Sequence, residues 1–151
     1  RLVDEVGTAA LLHDVGKIAI PESILLKPGP LSASERQAMQ EHVVFGQDIL
    51  LRAARRSDNG ELLRKAAEIA LYHHEKYDGS GYPDGLKGDE IPIIASIISI
   101  ADTFDAMITN RPYRSALPKD KVIEEIKQQS GKQFDPQLSS AFIELYQEGK
   151  I

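Results

Sequence analysis

The chain has 151 residues, which suits one compact domain with a sizeable core. Hydrophobic residues make up 42% and charged residues 27%, the balance of an ordinary globular protein rather than a disordered or fibrous one. With 18 basic and 23 acidic side chains the formal net charge is -5, which argues against the broad basic footprint of a duplex-binding module but leaves a small anionic ligand open. The absence of cysteine removes disulfides, thiolate zinc sites and thiol nucleophiles together, and fits a reducing compartment. The most apolar stretch, Ile91 to Ala101, is about half of the roughly 20 residues a membrane span needs, and it runs straight into Asp102. No signal peptide, repeat or low-complexity tract stands out. The chain begins at Arg1 rather than Met, as a piece of a longer protein would.

In chain order, Leu2 to His13 holds an apolar cluster (Ala9, Ala10, Leu11, Leu12) and reads as a buried helix ending near His13-Asp14. Gly16 to Leu31 is punctuated by glycine and proline and reads as a loop with at most one short turn. Ser32 with Glu35 forms a capping box that opens a helix running to about Arg56, with Ala38, Phe45, Ile49 and Leu50 at helical spacing. Arg52 to Gly60 reads as a surface insertion ending in the Ser57-Asp58-Asn59-Gly60 turn, and Glu61 to Lys76 as the next helix. Tyr77 to Glu90 is polar and glycine-rich, a connector long enough to be functional. Ile91 to Thr109 is a strongly apolar helix, and Pro118 and Asp135-Pro136 open two shorter amphipathic helices. No segment alternates with period two, so the fold class is all-α, a compact helical bundle.

The four histidines fall in telling places. His13 precedes Asp14. His42 shares a face with Ala38, Phe45, Gly46 and Ile49, and His73 with Leu62, Ala66, Ile69 and Ala70, while His74 follows about 100° round the helix. Asp102 interrupts the oily stripe of Ala95 and Ile98. Any one of these residues is ordinarily a hydrogen-bonded core group. Six of them on or beside core faces would be costly to bury without compensation. Metal ions supply that compensation, with imidazole and carboxylate ligands suited to Fe, Mn or Zn. Asp14, with two carboxylate oxygens, is placed to bridge two metals. Such a pair lowers the pKa of a bridging water and clamps the attacking and leaving oxygens of an in-line displacement at phosphorus. Lys17, one turn on, is either a surface charge or a group that steadies a phosphoryl oxygen or leaving alkoxide.

These residues carry a family resemblance. His13-Asp14-Val15-Gly16-Lys17-Ile18-Ala19-Ile20-Pro21 resembles the HDxGKxxIP signature of HD-GYP domains, members of the HD phosphohydrolase superfamily. The run from His73-His74-Glu75 through Asp78-Gly79 to Gly81-Tyr82-Pro83 resembles their HHExxDGxGYP signature. His42 sits where the family has its next metal histidine, Ala101 to Ala106 resembles the ADxxDA helix, and Arg111-Pro112-Tyr113-Arg114 resembles the RPYR segment. The resemblance covers about Ala9 to Phe142.

The resemblance implies a bacterial, cytoplasmic phosphodiesterase that opens cyclic di-GMP to linear pGpG and onward to GMP. It implies His13, Asp14, His42, His73, His74 and Asp102 as ligands of two or three divalent metals, Fe or Mn foremost, with Asp14 and Lys17 in the catalytic role. Lys17 would touch a substrate phosphate, and Gly81, Tyr82 and Pro83 would line the substrate cavity. Arg111 and Arg114 would bind phosphates or guanines, since a planar guanidinium meets either bidentately; as a plain feature they would be a solvated basic turn. Asp105 reads as structural. GGDEF-domain proteins are implied partners, and an upstream regulatory domain is implied in the full-length protein.

The chain departs from the family at one point. The family has a further helix before the HD motif, bearing another histidine and in some members a glutamate for a third metal, whereas no histidine precedes Leu12. Residues 1–151 are therefore expected to form a single HD-GYP domain lacking that first helix. Two other readings follow: an HD phosphohydrolase for another nucleotide, which the GYP and RPYR segments oppose, and a catalytically incomplete module that senses the dinucleotide or docks a protein.

Overall fold

A computed structural model describes residues 2–110 and 115–151. Arg111 and Arg114 lie outside them. The described residues are helical, with no strand beyond an isolated bridge between Ser130 and Phe134, as the all-α expectation required. They divide into two compact units, one ending at His74 and the other beginning at Glu75.

The first unit contains α1 (Leu2–Ala10), a 3-10 turn (Val15–Ala19), α2 (Glu22–Leu25), α3 (Ala33–Gln40), α4 (His42–Ala54) and α5 (Gly60–Tyr72). Helix α1 stops at Ala10, short of the expected end. Ala9 is buried, but Leu11 is 84% exposed, so the apolar cluster is not a continuous buried stripe. The loop that follows holds two short helical turns where the sequence reading allowed one.

Helix α3 opens on the expected capping box. Ser32 Oγ accepts from the Glu35 amide at 3.2 Å, and the Glu35 carboxylate accepts from the Ser32 amide at 2.7 Å. Lys27 Nζ donates to the same carboxylate at 2.6 Å. That lysine foremost, then the Ser32 amide, lowers the Glu35 carboxyl from 4.5 to about 2. A carboxylate depressed on folding stabilises the native state above its unfolded value, and the contribution is lost as pH falls toward the folded one. Glu35→Gln is expected to be less stable than the parent at neutral pH. The gap between the two denaturation midpoints should close as pH is taken from above 4.5 toward 2.

The single helix expected from Ser32 to about Arg56 is broken at Glu41. His42 Nδ1 lies 2.8 Å from the Met39 carbonyl and uses an acceptor of the helical ladder, one of the recognised causes of a helix kink. The inward stripe of α4 is His42, Val43, Gly46, Leu50 and Ala54, whereas Phe45, expected inside, is 38% exposed and Ile49 is half-buried. The stripe faces α5, whose buried residues include Ala66, Ala67, Ile69 and Ala70. The two helices cross closely at Gly46 and Ala70, where a Cβ on Gly46 would meet the Ala70 Cβ at 3.3 Å. Of Arg52 to Gly60, expected as a surface insertion, Arg52 to Ala54 are the last turn of α4 and Gly60 opens α5; the stretch is exposed apart from Ala54 and Gly60.

The second unit contains a long loop with a 3-10 turn (Gly88–Glu90), then α6 (Ile93–Ile108), α7 (Lys119–Gln128) and α8 (Pro136–Gln147). Two helices start where the prolines indicated: Pro118 precedes α7, and Asp135 caps α8 by accepting from the amides of Gln137 and Leu138, whereas α6 begins after Pro92 at Ile93 rather than at the expected Ile91. Ile100, Phe104, Val122, Ile126 and Phe134 form its core, with Met107, Leu117, Leu138 and Phe142 packed around them. Among the described residues no helix is long and apolar enough to cross a membrane.

Candidate metal centre

Within the first unit, the turn after α1, the start of α4 and the end of α5 bring their polar side chains to one place. Asp14, His42, His73 and His74 each offer a ligand atom, and these atoms all lie within 4.8 Å of one another. Ligands about 2.0–2.2 Å from a common ion stand no more than roughly twice that apart, so little adjustment is needed to close the set on one ion. His13 adjoins it, its Nε2 3.5 Å from Asp14 Oδ2. The rings pack edge to face, with His13 and His73 centroids 4.9 Å apart, His42 and His73 5.7 Å and His42 and His74 5.2 Å.

Three imidazoles are oriented by the same device. His13 Nδ1 lies 2.7 Å from the Ala10 carbonyl, His42 Nδ1 2.8 Å from Met39, and His73 Nδ1 3.0 Å from Ala70 and 3.1 Å from Ile69. A carbonyl only accepts, so each Nδ1 carries a proton, and in the neutral imidazole that leaves the lone pair a metal needs on Nε2. This is the backbone anchoring that fixes a metal-binding histidine's tautomer and ring orientation. Helix α5 ends at Tyr72, earlier than the expected Lys76, where the His73 ring occupies the Ala70 carbonyl that a further helical residue would use.

The Nε2 atoms of His42 and His73 point to Asp14 Oδ1 at 3.4 and 3.7 Å. His42 and His73 are each 2% exposed, yet these two nitrogens and that oxygen have no hydrogen-bond partner. Buried polar atoms left so are costly, and three aimed at one point are accounted for by a shared cation. Burial, followed by the neighbouring His13, pushes the His73 imidazole down to about 4, which keeps it neutral and able to donate its lone pair near neutral pH. Burial would raise the Asp14 carboxyl, but the Lys17 ammonium beside it helps hold the group well below the usual carboxylate range. Lys17 Nζ lies 2.5 Å from Asp14 Oδ2, so the lysine expected beside the HD pair is there. The residues present therefore fit a divalent metal: imidazoles and one ionised carboxylate, converging on one point, with three of the rings oriented by helix carbonyls.

The other expected site residues belong to the second unit. Asp102 lies half-buried in the middle of α6, and Asp105 is exposed. Gly81 and Tyr82 are half-buried and Pro83 exposed, with the Tyr82-Pro83 peptide bond cis. Glu75, which stands in the motif directly after His74, is a further residue of this unit that the expected site does not include. It is 3% exposed and accepts from the amides of Asp84 and Gly85 at 2.8 and 3.0 Å. An acid set directly between the two histidines and the glycine-rich connector was the available signal.

The HD domain family model matches residues 2–138. The chain is 48% identical over 146 residues to a cyclic di-GMP phosphodiesterase of Thermotoga maritima, covering 97% of this chain and 38% of that protein. It is 48% identical over 145 residues to the 3'3'-cGAMP-specific phosphodiesterase 2 of Vibrio cholerae, covering 96% and 27%. It is 46% identical over 135 residues to the cyclic di-GMP phosphodiesterase response regulator RpfG of Xanthomonas campestris, covering 89% and 34%. The chain thus spans well under half the length of these relatives. A crystal structure of a cyclic GMP-AMP-specific phosphodiesterase from V. cholerae superposes with a TM-score of 0.62 at 22% identity, over 95% of this chain and 38% of that one, a likeness of fold. The chain belongs to the HD domain family and carries the signatures of its HD-GYP type.

Proposed function

We propose that residues 1–151 form one HD-GYP domain that hydrolyses cyclic di-GMP to pGpG, and onward to GMP, in the bacterial cytoplasm. The observation that carries this reading is the set of histidines pinned through Nδ1 to helix carbonyls, with the Nε2 atoms of His42 and His73 turned on Asp14 Oδ1. The names of the relatives at 46–48% identity support the substrate class, a cyclic dinucleotide. His13, Asp14, His42, His73 and His74 would hold the metal, with Asp102 added on the strength of its motif. Two or three divalent ions, Fe or Mn, would supply an activated water and neutralise charge on the phosphate.

The chain's own groups do the rest. Asp14 stays ionised and offers two oxygens, one toward His42 and His73, the other toward Lys17. Lys17, 41% exposed, can follow a phosphoryl oxygen with its flexible stem and offset the developing charge. Gly81, Tyr82 and Pro83 would line the substrate, and Arg111 and Arg114 would take its phosphates or guanine edges. GGDEF-domain proteins are the proposed protein partners, and a regulatory domain is proposed elsewhere in the full-length protein.

The test is metal per chain in anaerobically purified protein, together with turnover of cyclic di-GMP and of 3'3'-cGAMP followed by chromatography. Bound metal with pGpG appearing is the expected result. Tight dinucleotide binding without turnover would point to the sensor reading, and no metal would overturn both. Tyr82→Phe is expected to keep its metal and to raise KM by about tenfold or less, as loss of one hydrogen bond does. Metal loss in that variant would show that Tyr82 does not act at the substrate.

A further inference from the structure

We propose that Glu75 is the positioning residue of the loop that carries Gly81, Tyr82 and Pro83, clamping its returning leg through two main-chain amides. The second unit shows how the loop is held. Its outgoing leg is tied at the base, where the amides of Tyr77 and Asp78 donate to the carbonyls of Gln133 and Lys132 at 3.1 and 2.8 Å. Asp78 Oδ1 then accepts from both the amide and the hydroxyl of Ser80, at 2.9 and 2.6 Å. The returning leg rejoins the base only at Gly88, whose amide donates to the Tyr77 carbonyl at 2.9 Å. Between the tip and that point, the Asp84 and Gly85 amides donate to Glu75 Oε1, while the Lys87 amide makes only a local bond to the Glu90 carboxylate.

The two legs pass closely where Gly79 and Gly85 face each other. Both have positive φ, 83° and 68°, and a Cβ on Gly79 would meet the Gly85 carbonyl oxygen at 3.4 Å. Glu75 is fixed at this neck and is itself 3% exposed, while Asp84 and Gly85 are exposed. Packing alone is a poor reason for a carboxylate there, because burying one costs more than burying an apolar side chain of its size. Receiving two amides at one oxygen is what a carboxylate does well, since hydrogen bonds to an ionised acceptor are about twice as strong as neutral ones. Glu75 is also the residue next to His74, so the chain leaving the metal cluster goes directly into the clamp. The consequence for turnover rests on the function proposed above; the clamp itself does not.

Amide hydrogen exchange reads the clamp directly, because Asp84 and Gly85 are surface residues whose amides would otherwise exchange freely. In the full chain with metal bound, both amides are expected to be protected by about tenfold or more, given the strength of such bonds. Glu75→Ala should remove that protection while leaving the Tyr77 and Asp78 amides protected and metal per chain unchanged. Glu75→Gln keeps the shape and an accepting oxygen, so it should fold like the parent and lose only severalfold of the protection. On cyclic di-GMP, Glu75→Ala should raise KM by about tenfold with a smaller fall in kcat, and Glu75→Gln should restore most of the difference. Unchanged exchange at Asp84 and Gly85 in Glu75→Ala overturns the proposal, and so does metal loss in Glu75→Gln, which would place the carboxylate at the metal. If the parent turns over neither cyclic dinucleotide, the function fails while the exchange data still decide the clamp.

Discussion

His73→Ala is expected to strip the protein of metal and to abolish turnover in the same step. Three features put this residue at the centre of the site. Its ring contacts both His13 and His74, at centroid distances of 4.9 and 4.0 Å. Its Nδ1 is shared between two carbonyls of α5, so the ring has little freedom and Nε2 is held toward Asp14. Burial and the neighbouring His13 keep it uncharged near neutral pH, so no proton must be displaced before it binds a cation. Losing a group that merely orients a ligand costs about 10- to 100-fold in metal affinity or activity, so losing a ligand should exceed the upper figure. Elemental analysis after dialysis should show metal falling well below the parent's stoichiometry, with pGpG formation at background.

The same variant separates a metal site from a plain buried polar cluster. A ligand that binds only the folded state raises stability by mass action. Parent protein should therefore unfold at a higher temperature with Mn²⁺ than with chelator, whereas His73→Ala should unfold at one temperature in both. A His73→Ala protein that still responds to Mn²⁺ would leave the cluster without its central ligand and would return His73 to the role of a core residue.

What could be read from the sequence depended on whether the signal was local. Ser32 with Glu35, Pro118 and Asp135-Pro136 are complete within a few residues, and helices begin at each of them. That Asp14, His42, His73 and His74 would come together was also readable, since polar groups repeated on apolar faces meet when those faces pack. The breaks at Glu41 and after Tyr72 were not readable. They arise where the His42 and His73 rings turn back onto their own helices, and periodicity carries no trace of which nitrogen turns. Phe45 misled for a related reason. Hydrophobicity marked it as inward, but close approach of backbones selected the adjacent Gly46, and the helix rotated to suit the small residue. The 77–90 connector looked unstructured because its main tie, Glu75 to Asp84 and Gly85, spans nine and ten residues with no repeating pattern.

Gly16→Ala is the second large effect, and it follows from that close approach. A Cβ on Gly16 would lie 1.8 Å from the His42 carbonyl oxygen, 2.4 Å from the Gly46 nitrogen and 2.9 Å from the Gly46 Cα. All three are main-chain atoms, so no rotamer change relieves the clash and the 3-10 turn must move off α4. Gly46 cannot retreat, because its other side faces the Ala70 Cβ of α5. Overpacking of this kind costs about 1–3 kcal/mol, and a clash with backbone belongs at the upper end. For a chain of this size that corresponds to roughly 6–12 °C in unfolding temperature. Asp14 and Lys17 ride on the same turn, so displacement should also draw the carboxylate away from His42 and His73 and weaken metal binding by about tenfold or more. Gly7→Ala is the matched control: nothing lies within 4 Å of its Cβ, and alanine inside α1 should stabilise by about 0.5–1 kcal/mol. Thermal unfolding with chelator present isolates the packing effect, and competition for Mn²⁺ isolates the effect on the site. If Gly16→Ala matched the parent in both, the contact between the turn and α4 could not be what holds Asp14 against the histidines.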